Sequence, residues 1–144
     1  MPTDSRMSAE ISSEARIMEV VCAVLFDQQG KVLVCQRPEG KMLAGKWEFP
    51  GGKVDAGESF EEALHREMHE ELDCEVLIRR KLSPVLHAYE SLTIRLHPFV
   101  CSLGEDLPRA LEHAAISWVE SSELNNLDLA CADREIANEL LLSS

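Results

Sequence analysis

Residues 52–74 read GKVDAGESFEEALHREMHEELDC, and the part from 60 to 72 has the pattern of an amphipathic helix. Ser59 and Glu62 form an S-x-x-E pair, which is typical of the capping box at a helix N-terminus. Apolar residues recur through the stretch at the spacing that brings every third or fourth residue onto one side. The sequence therefore predicts a helix over residues 60–72.

The acidic residues of this helix stand in unusual places. Glu67, Glu70 and Glu71 share one face, where like charges at this spacing repel each other. At 3.6 residues per turn, Glu67 and Glu71 fall within the apolar arc, although a surface helix normally keeps charges on the opposite side. A divalent cation with hard oxygen ligands, Mg²⁺ or Mn²⁺, would relieve both the repulsion and the burial. The alternative is a solvated acidic helix with a different rotation.

The segment before the helix strengthens the metal interpretation. Residues 50–58, PGGKVDAGE, contain two consecutive glycines, which allow a ligand or another backbone to approach closely. Lys53 adds a local positive charge, and Glu58 precedes the helix N-terminus. Arg66 stands four residues from Glu70, so it can orient that carboxylate. A glycine-rich turn followed by aligned carboxylates predicts a site for a metal and a phosphate.

Outside this region the pattern predicts strands and one further helix. Residues 20–26 and 31–37 are apolar and flank the turn DQQG, so they are predicted to form a hairpin of buried strands. The remaining predicted elements are strands within 74–80, 83–90, 92–103 and 116–119, a helix at 132–142, and loops at 38–46 and 104–114. This mixture predicts an α/β (α+β) fold in which two helices cover a mixed sheet.

Composition limits the function classes. The chain has 144 residues and a net charge of -12, which argues against binding nucleic acid polymers or anionic membranes. Its five cysteines are dispersed and odd in number, which indicates reduced thiols in a cytoplasmic protein. Residues 1–17 are polar and are predicted to be a flexible N-terminal tail before a domain at 18–144. The sequence shows neither a secretory signal nor a membrane span.

The stretch 52–74 resembles the Nudix box, G-x5-E-x7-R-E-U-x-E-E-x-G-U, in which U is apolar. Seven positions match: Gly52, Glu58, Arg66, Glu67, Met68, Glu70 and Glu71. The preceding RPEGKMLAGKWEFPGGK looks like the MutT-type branch of that family. The resemblance implies the Nudix fold, an α/β/α sandwich with a mixed β-sheet. It also implies hydrolysis of a nucleoside triphosphate to the monophosphate and pyrophosphate.

The resemblance also implies site residues. Glu67, Glu70 and Glu71 are expected to bind Mg²⁺ or Mn²⁺, with the carbonyl of Gly51 as a further ligand and one glutamate as a candidate base. Glu58 and Arg66 are expected to support these ligands. In MutT-like proteins another glutamate precedes a late strand that carries Trp. Glu112, six residues before Trp118, fits that place as an additional ligand or base; otherwise it is a solvated loop residue.

One position departs from the Nudix box. The family glycine near its end is Asp73 in this chain. A residue just after a helix often needs positive φ, which Asp tolerates at a cost of about 1 kcal/mol. We therefore expect a small loss of stability and an intact metal site.

The base-binding residue is expected at the start of the last helix. MutT-like enzymes place Asn there, and this chain has Asp133. An ionised Asp accepts hydrogen bonds only, which suits the N7–H of 8-oxoguanine, the N1–H and N2–H₂ edge of a guanine, or the amino group of cytosine. Asp133 is otherwise an N-cap. The resemblance adds Arg37 as a phosphate or base contact, and Phe49 and Met42 as walls of the pocket, although both are also ordinary core types.

Three functions follow from the resemblance. The first is an Mg²⁺-dependent diphosphatase that removes 8-oxo-dGTP from the nucleotide pool. The second is a pyrophosphohydrolase for CTP, dCTP or a modified cytidine nucleotide, favoured by Asp133. The third is a Nudix-like module that binds nucleotide without hydrolysing it. The chain is expected to be a monomer or a homodimer. The sequence indicates no partner residues that would support a catalytic role for His87 or Tyr89. The other histidines are interpreted as surface or core residues.

Overall fold

A computed structural model describes residues 17–142 of the chain. The predicted tail, residues 1–17, lies outside the described residues except for Ile17, which begins the first strand. The described part contains eight strands and two α-helices. They are β1 (Ile17–Phe26), β2 (Val32–Gln36), β3 (Trp47–Glu48), β4 (Gly51–Lys53), α1 (Phe60–Leu72), β5 (Val76–Lys81), β6 (Val85–Tyr89), β7 (Leu92–Leu103), β8 (Ala115–Val119) and α2 (Cys131–Leu142). A 3₁₀ helix at Ser121–Asn126 follows β8.

Strand β1 organises a mixed sheet. It pairs in parallel with β7 along its whole length, from Ile17 opposite Thr93 to Phe26 opposite Ser102. On its other edge it pairs antiparallel with β4. β7 also pairs with β5 and β6, while β2 pairs with β3 and β8. The short strand β4 therefore lies beside the centre of the sheet.

The predicted hairpin is only partly correct. Both strands exist, but the register between β1 and β2 contains a single pair, Phe26 with Val32. β2 instead pairs along its length with β8. The turn itself is well defined, because Asp27 Oδ1 accepts hydrogen bonds from the backbone N–H groups of Gln29 and Lys31 at 2.9 and 2.8 Å. After this turn β2 therefore pairs mainly with β8 and not with β1.

The two helices cover opposite faces of the sheet. Because side chains alternate along a strand, β1 sends Val21, Ala23 and Leu25 into the core beneath α1. It sends Cys22 and Val24 into the core beneath α2. Strand β1 is apolar on both faces for this reason. The α/β/α sandwich predicted from the sequence is confirmed.

The predicted limits of α1 agree with the structure. Ser59 Oγ accepts a hydrogen bond from the N–H of Glu62, and the Glu62 side chain accepts one from the N–H of Ser59, so the capping box is complete. At the other end Asp73 adopts φ 52 and ψ 46, the left-handed conformation expected at that position. Both ends of the helix are thus fixed by the residues that the sequence singles out.

The five cysteines are free thiols, and four of them are buried, whereas Cys131 is exposed. Burial raises the pKa of each buried thiol. Among residues 17–142, no helix is both long and apolar enough to cross a membrane.

Candidate active site

Arg66 lies between two carboxylates of α1, Glu67 and Glu70, and the carboxylate of Glu58, which precedes the helix. Its Nε lies 2.6 Å from Glu58 Oε2, and its Nη1 lies 2.9 Å from Glu67 Oε2 and 3.1 Å from Glu70 Oε1. Its Nη2 donates to the backbone oxygen of Lys53 at 2.9 Å. Arg66 lowers the pKa of Glu58 to about 2, with help from the N–H of Asp55. Arg66 therefore ties the helix to the glycine-rich turn.

Glu71 is the least satisfied charged group on α1. Its Oε1 is buried and has no hydrogen-bond partner within the described residues. The pKa of this carboxyl is raised to about 9, chiefly by burial and next by the negative charges of Glu67, Glu48 and Glu112, while a hydrogen bond from the backbone of Gly51 opposes the rise. The rotation of α1 inferred from the sequence agrees with this burial and with that of Glu67, which is 8% exposed.

Two glycines make room for this arrangement. A Cβ atom added to Gly52 would stand 2.4 Å from the Glu67 carboxylate, and one added to Gly51 would stand 1.9 Å from the Val21 carbonyl oxygen. A side chain at Gly51 would require β1 and β4 to move apart, whereas one at Gly52 would displace the Glu67 carboxylate. The glycine pair thus lets β4 lie against β1 while a carboxylate of α1 packs on its outer side.

Two further residues join Glu71, and the sequence did not predict either. His113 Nε2 lies 3.2 Å from Glu48 Oε2 and 3.8 Å from Glu71 Oε1. Glu48 Oε1 in turn lies 3.1 Å from Arg37 Nη1. A recess of about 50 Å³ brings these residues together with Glu112. Glu48 ends a two-residue strand, between Trp47 and Phe49, and His113 lies in an irregular loop, so neither belongs to a recognisable pattern.

The carboxylate oxygens around Glu71 are of the type that binds a hard divalent cation. They are not arranged as a complete metal site. Within residues 17–142, no three side chains of His, Cys, Asp or Glu are close enough together to hold a metal ion as they stand. Glu67 and Glu70 turn toward Arg66, while Glu71 keeps a buried oxygen without a partner. That orphaned oxygen among carboxylates is the feature that a cation would satisfy.

A separate cavity of about 260 Å³ opens beside the glycine pair. Its lining is mostly apolar and comes from β1, β6 and β7, with α2 closing one end. All five residues that the sequence assigns to substrate lie on its wall: Arg37, Met42, Phe49, Lys53 and Asp133. Arg37 and Glu48 line both this cavity and the recess that holds Glu71. The two spaces therefore meet at one ion pair.

Asp133 is the buried acid of the cavity. Its Oδ2 accepts a hydrogen bond from the backbone N–H of Phe49 at 2.9 Å. Its pKa is raised to about 8, chiefly by burial and next by the charge of Glu48, while the hydrogen bond from Phe49 opposes the rise. The N-cap interpretation is wrong, because α2 begins at Cys131 and Asp133 lies in its first turn. Burial and the nearby charge of Glu48 therefore favour the protonated form of this carboxyl group.

Tyr89 supports the same end of α2. Its hydroxyl oxygen accepts a hydrogen bond from the N–H of Ala132 at 3.1 Å, and the side chain lines the cavity. His87 packs against the Tyr89 ring and lies 3.3 Å from Glu135. These contacts give Tyr89 a part in shaping the cavity, which the sequence alone did not indicate.

Comparison with known proteins gives a consistent result. A family profile described as "NUDIX domain" matches residues 21–139. A protein of Mycobacterium tuberculosis provisionally named 8-oxo-dGTP diphosphatase 2 is 42% identical over 119 residues, which cover 81% of this chain and 83% of that protein. The CTP pyrophosphohydrolase of Escherichia coli is 36% identical over 118 residues, which cover 82% and 87%.

The fold is also similar to solved structures. The solution structure of the E. coli ORF135 protein superimposes with a TM-score of 0.76 at 32% sequence identity. The match covers 88% of this chain and 90% of that one. The cavity, the glycine pair and α1 all fall within the part of the chain that the family profile matches.

Proposed function

The chain belongs to the NUDIX domain family, and on that premise we propose that it is a divalent-metal-dependent (deoxy)nucleoside triphosphate diphosphatase of the nucleotide pool. Its products would be the nucleoside monophosphate and pyrophosphate. One observation carries the proposal: a cavity that ends in the buried acid Asp133 opens beside the glycine pair and the carboxylates of α1. We infer that the base of the nucleotide occupies the cavity and that its triphosphate extends toward the carboxylates of α1.

The metal would be held by carboxylates of α1. Glu71 offers an oxygen without a partner, Glu67 and Glu70 are the adjacent donors, and Glu112 and the carbonyl of Gly51 are further candidates. When bound, Mg²⁺ or Mn²⁺ neutralises phosphate charge and polarises the phosphoryl oxygens. Arg66 and Glu58 orient the donors, and Arg37 and Lys53 supply positive charge on the path between cavity and metal.

The protonation of Asp133 bears on the choice of base. A neutral carboxyl group has one donor and one acceptor side by side. The N7–H and O6 of 8-oxoguanine match that pair, and so do the amino group and N3 of cytosine. Unmodified guanine presents acceptors at both N7 and O6. We therefore propose discrimination against dGTP, with 8-oxo-dGTP as the preferred substrate.

A cytidine nucleotide is the second candidate. It is favoured by Asp133, which matches the cytosine edge, and by the 36% identity to a protein named CTP pyrophosphohydrolase. Both candidates use the same cavity and the same metal site.

A substrate panel tests the proposal. Purified protein with Mg²⁺ would be assayed on 8-oxo-dGTP, dGTP, dCTP, CTP and 5-methyl-dCTP, with kcat/KM and released pyrophosphate measured. A strong preference for 8-oxo-dGTP over dGTP supports the first candidate, and a preference for cytosine nucleotides supports the second. Nucleotide binding without turnover would instead indicate a non-catalytic module.

Matched variants test the role of Asp133. Asp133→Asn keeps a donor and an acceptor, so we expect the preference over dGTP to persist. Asp133→Leu has a similar shape without polar atoms, and we expect it to reduce that preference by about 10- to 100-fold, the value of one bidentate base contact. Equal preferences in wild type and Asp133→Leu would contradict the assignment.

A further inference from the structure

The loop at 104–114 is docked onto the C-terminal end of α1. The backbone N–H groups of Arg109 and Leu111 donate to the carbonyl oxygens of Leu72 and Glu71 at 2.8 and 3.1 Å. These carbonyls belong to the last turn of the helix, where the helix itself offers no donors. The loop therefore satisfies the helix end on which Glu71 stands.

Two side chains could hold the loop there, and they differ in strength. Arg109 Nη2 lies 2.7 Å from Asp73 Oδ2, but these side chains are 68% and 54% exposed. An ion pair in that setting contributes little, because water and salt screen it. His113 is different: its side chain is only 4% exposed, and its Nε2 lies 3.2 Å from Glu48 Oε2. Of these two side-chain contacts, only that of His113 is buried.

The hydrogen bond between His113 and Glu48 shows which ring nitrogen of His113 carries the hydrogen. A carboxylate oxygen only accepts, so His113 Nε2 carries the hydrogen. His113 Nδ1 is buried and has no hydrogen-bond partner within the described residues. The ring thus makes one directional bond, through Nε2, from the loop to β3. Its neighbour in sequence, Glu112, lies in the same recess as Glu71.

We propose that His113 is a positioning residue of this active site: by bonding Glu48 it holds the 104–114 loop on α1, and so places Glu112 beside Glu71. The kinetic part of this proposal rests on the proposed function, whereas the placement of the loop does not. Arg37 contacts more than Glu48, because its Nε also donates a hydrogen bond to the Met42 carbonyl oxygen at 2.6 Å. Losing His113 should therefore disturb the α1 side of the site more than the cavity.

Two substitutions separate positioning from simple burial. In His113→Gln the amide nitrogen reaches about as far as Nε2, so the bond to Glu48 is retained. In His113→Asn the amide nitrogen reaches only as far as Nδ1, so the bond is broken. We expect His113→Asn to lower kcat by about 10- to 100-fold, as small misplacements of reacting groups do, with KM changed less than about threefold. His113→Gln should recover most of kcat.

Amide hydrogen exchange supplies a readout that needs no turnover. In His113→Asn we expect exchange at Arg109 and Leu111 to become at least about tenfold faster, while amides in the middle of α1 keep their rates. In His113→Gln these two amides should stay protected. Wild-type protection in His113→Asn would overturn the proposal. Equal losses of kcat in both variants would overturn it as well, since they would indicate burial rather than the Nε2 bond.

His97 is a matched control at the other end of α1. It too is buried, its Nε2 lies 2.7 Å from Glu19 Oε1, and its Nδ1 has no partner in the described structure. It stacks on Phe60, the first residue of α1. We expect His97→Asn to cost stability without changing kcat of the folded protein or exchange at Arg109 and Leu111. An equal kcat loss in His97→Asn would overturn a specific role for His113.

The same design keeps the two proposals apart. If the wild type hydrolyses none of the nucleotides in the panel, the proposed function fails, and the exchange of the Arg109 and Leu111 amides still decides whether His113 holds the loop. If turnover is found and both His113 variants match the wild type in kcat and exchange, the positioning proposal fails alone.

Discussion

Asp133 on α2 and Glu71 on α1 both turn toward the sheet, and the surroundings of these two carboxyl groups differ. Asp133 on α2 accepts a hydrogen bond from the Phe49 backbone and lies among apolar side chains. Glu71 on α1 has a buried oxygen with no partner in the described residues and stands near three other glutamates. The pKa values of both groups are raised, to about 8 and about 9. The protein satisfies Asp133 itself, whereas Glu71 is suited to a ligand with positive charge.

Replacing Glu71 should have the largest effect on activity. Glu71→Gln keeps the shape but removes the charge that would hold a cation. Since metal catalysis contributes several kcal/mol and each 1.4 kcal/mol is tenfold in rate, we expect kcat/KM to fall by about a thousandfold. Steady-state kinetics with Mg²⁺ measures this. Asp133→Asn is the comparison, because it should keep most of its turnover. Retained turnover in Glu71→Gln would remove Glu71 from the metal site.

Glu71→Gln and Asp133→Asn should also differ in how much a cation stabilises the folded protein. A ligand that binds only the folded state at 100 times its Kd adds about 2.7 kcal/mol to the free energy of unfolding. We expect Mg²⁺ or Mn²⁺ to raise the Tm of the wild type and of Asp133→Asn. Thermal unfolding with and without chelator measures the shift. The assignment fails if Glu71→Gln gains as much as the wild type.

Without metal, stability should fall as pH rises. The folded protein keeps protons on Glu71 and Asp133 that the unfolded chain releases above its ordinary carboxyl pKa values, so unfolding releases protons. This stabilisation is fully present below about pH 4 and is lost as pH rises through about 8 and 9. Each group contributes at most about 1.4 kcal/mol per pH unit.

Urea unfolding between about pH 5.5 and 7.5 in chelator measures this slope. We expect Asp133→Asn to have a shallower slope than the wild type, because Asn does not titrate. An unchanged slope would mean that Asp133 is already ionised in the folded protein. Glu58 works in the opposite direction, since Arg66 lowers its pKa to about 2, and its stabilisation is lost only in acid.

The smallest effect is expected at the end of α1. Asp73→Gly removes the strain of a left-handed Asp, about 1 kcal/mol, and also the exposed pair with Arg109, which contributes between about 0 and 1 kcal/mol. These changes oppose each other, so we expect the free energy of unfolding to change by less than about 1 kcal/mol and kcat to stay the same. A large gain in activity would show that Asp73 impairs the site.

Local patterns explain why α1 and its charges were predictable. The capping box, the apolar spacing and the inward glutamates all lie within one segment, and the structure agrees with each of them. Glu48 and His113 could not be found in this way. They are 65 residues apart in sequence and meet only because β3 and β8 both pair with β2. A single residue that reaches the site through strand pairing produces no periodic pattern in the sequence.

The short extent of the predicted hairpin has the same cause. Two apolar segments joined by a short turn predict antiparallel neighbours, and the turn between β1 and β2 does form. On the edge that meets β2, β1 pairs mainly with β4, and on the other edge it pairs with β7; five strands and a helix separate β1 from β7 in the sequence. Parallel pairing of this kind depends on the whole fold, which local pattern does not contain.

The parallel pairing of β1 with β7 also affects how the chain reaches its fold. During synthesis β1 emerges early, yet its ten-residue partner register begins 76 residues later, at Thr93. Loop closure over that distance is costly and slow, so contacts of high sequence separation delay folding. Until β7 emerges, the apolar segment VVCAVLF has an unpaired edge on the nascent chain. The strand at the centre of the sheet is therefore the part of the chain with most to gain from chaperone protection on the ribosome.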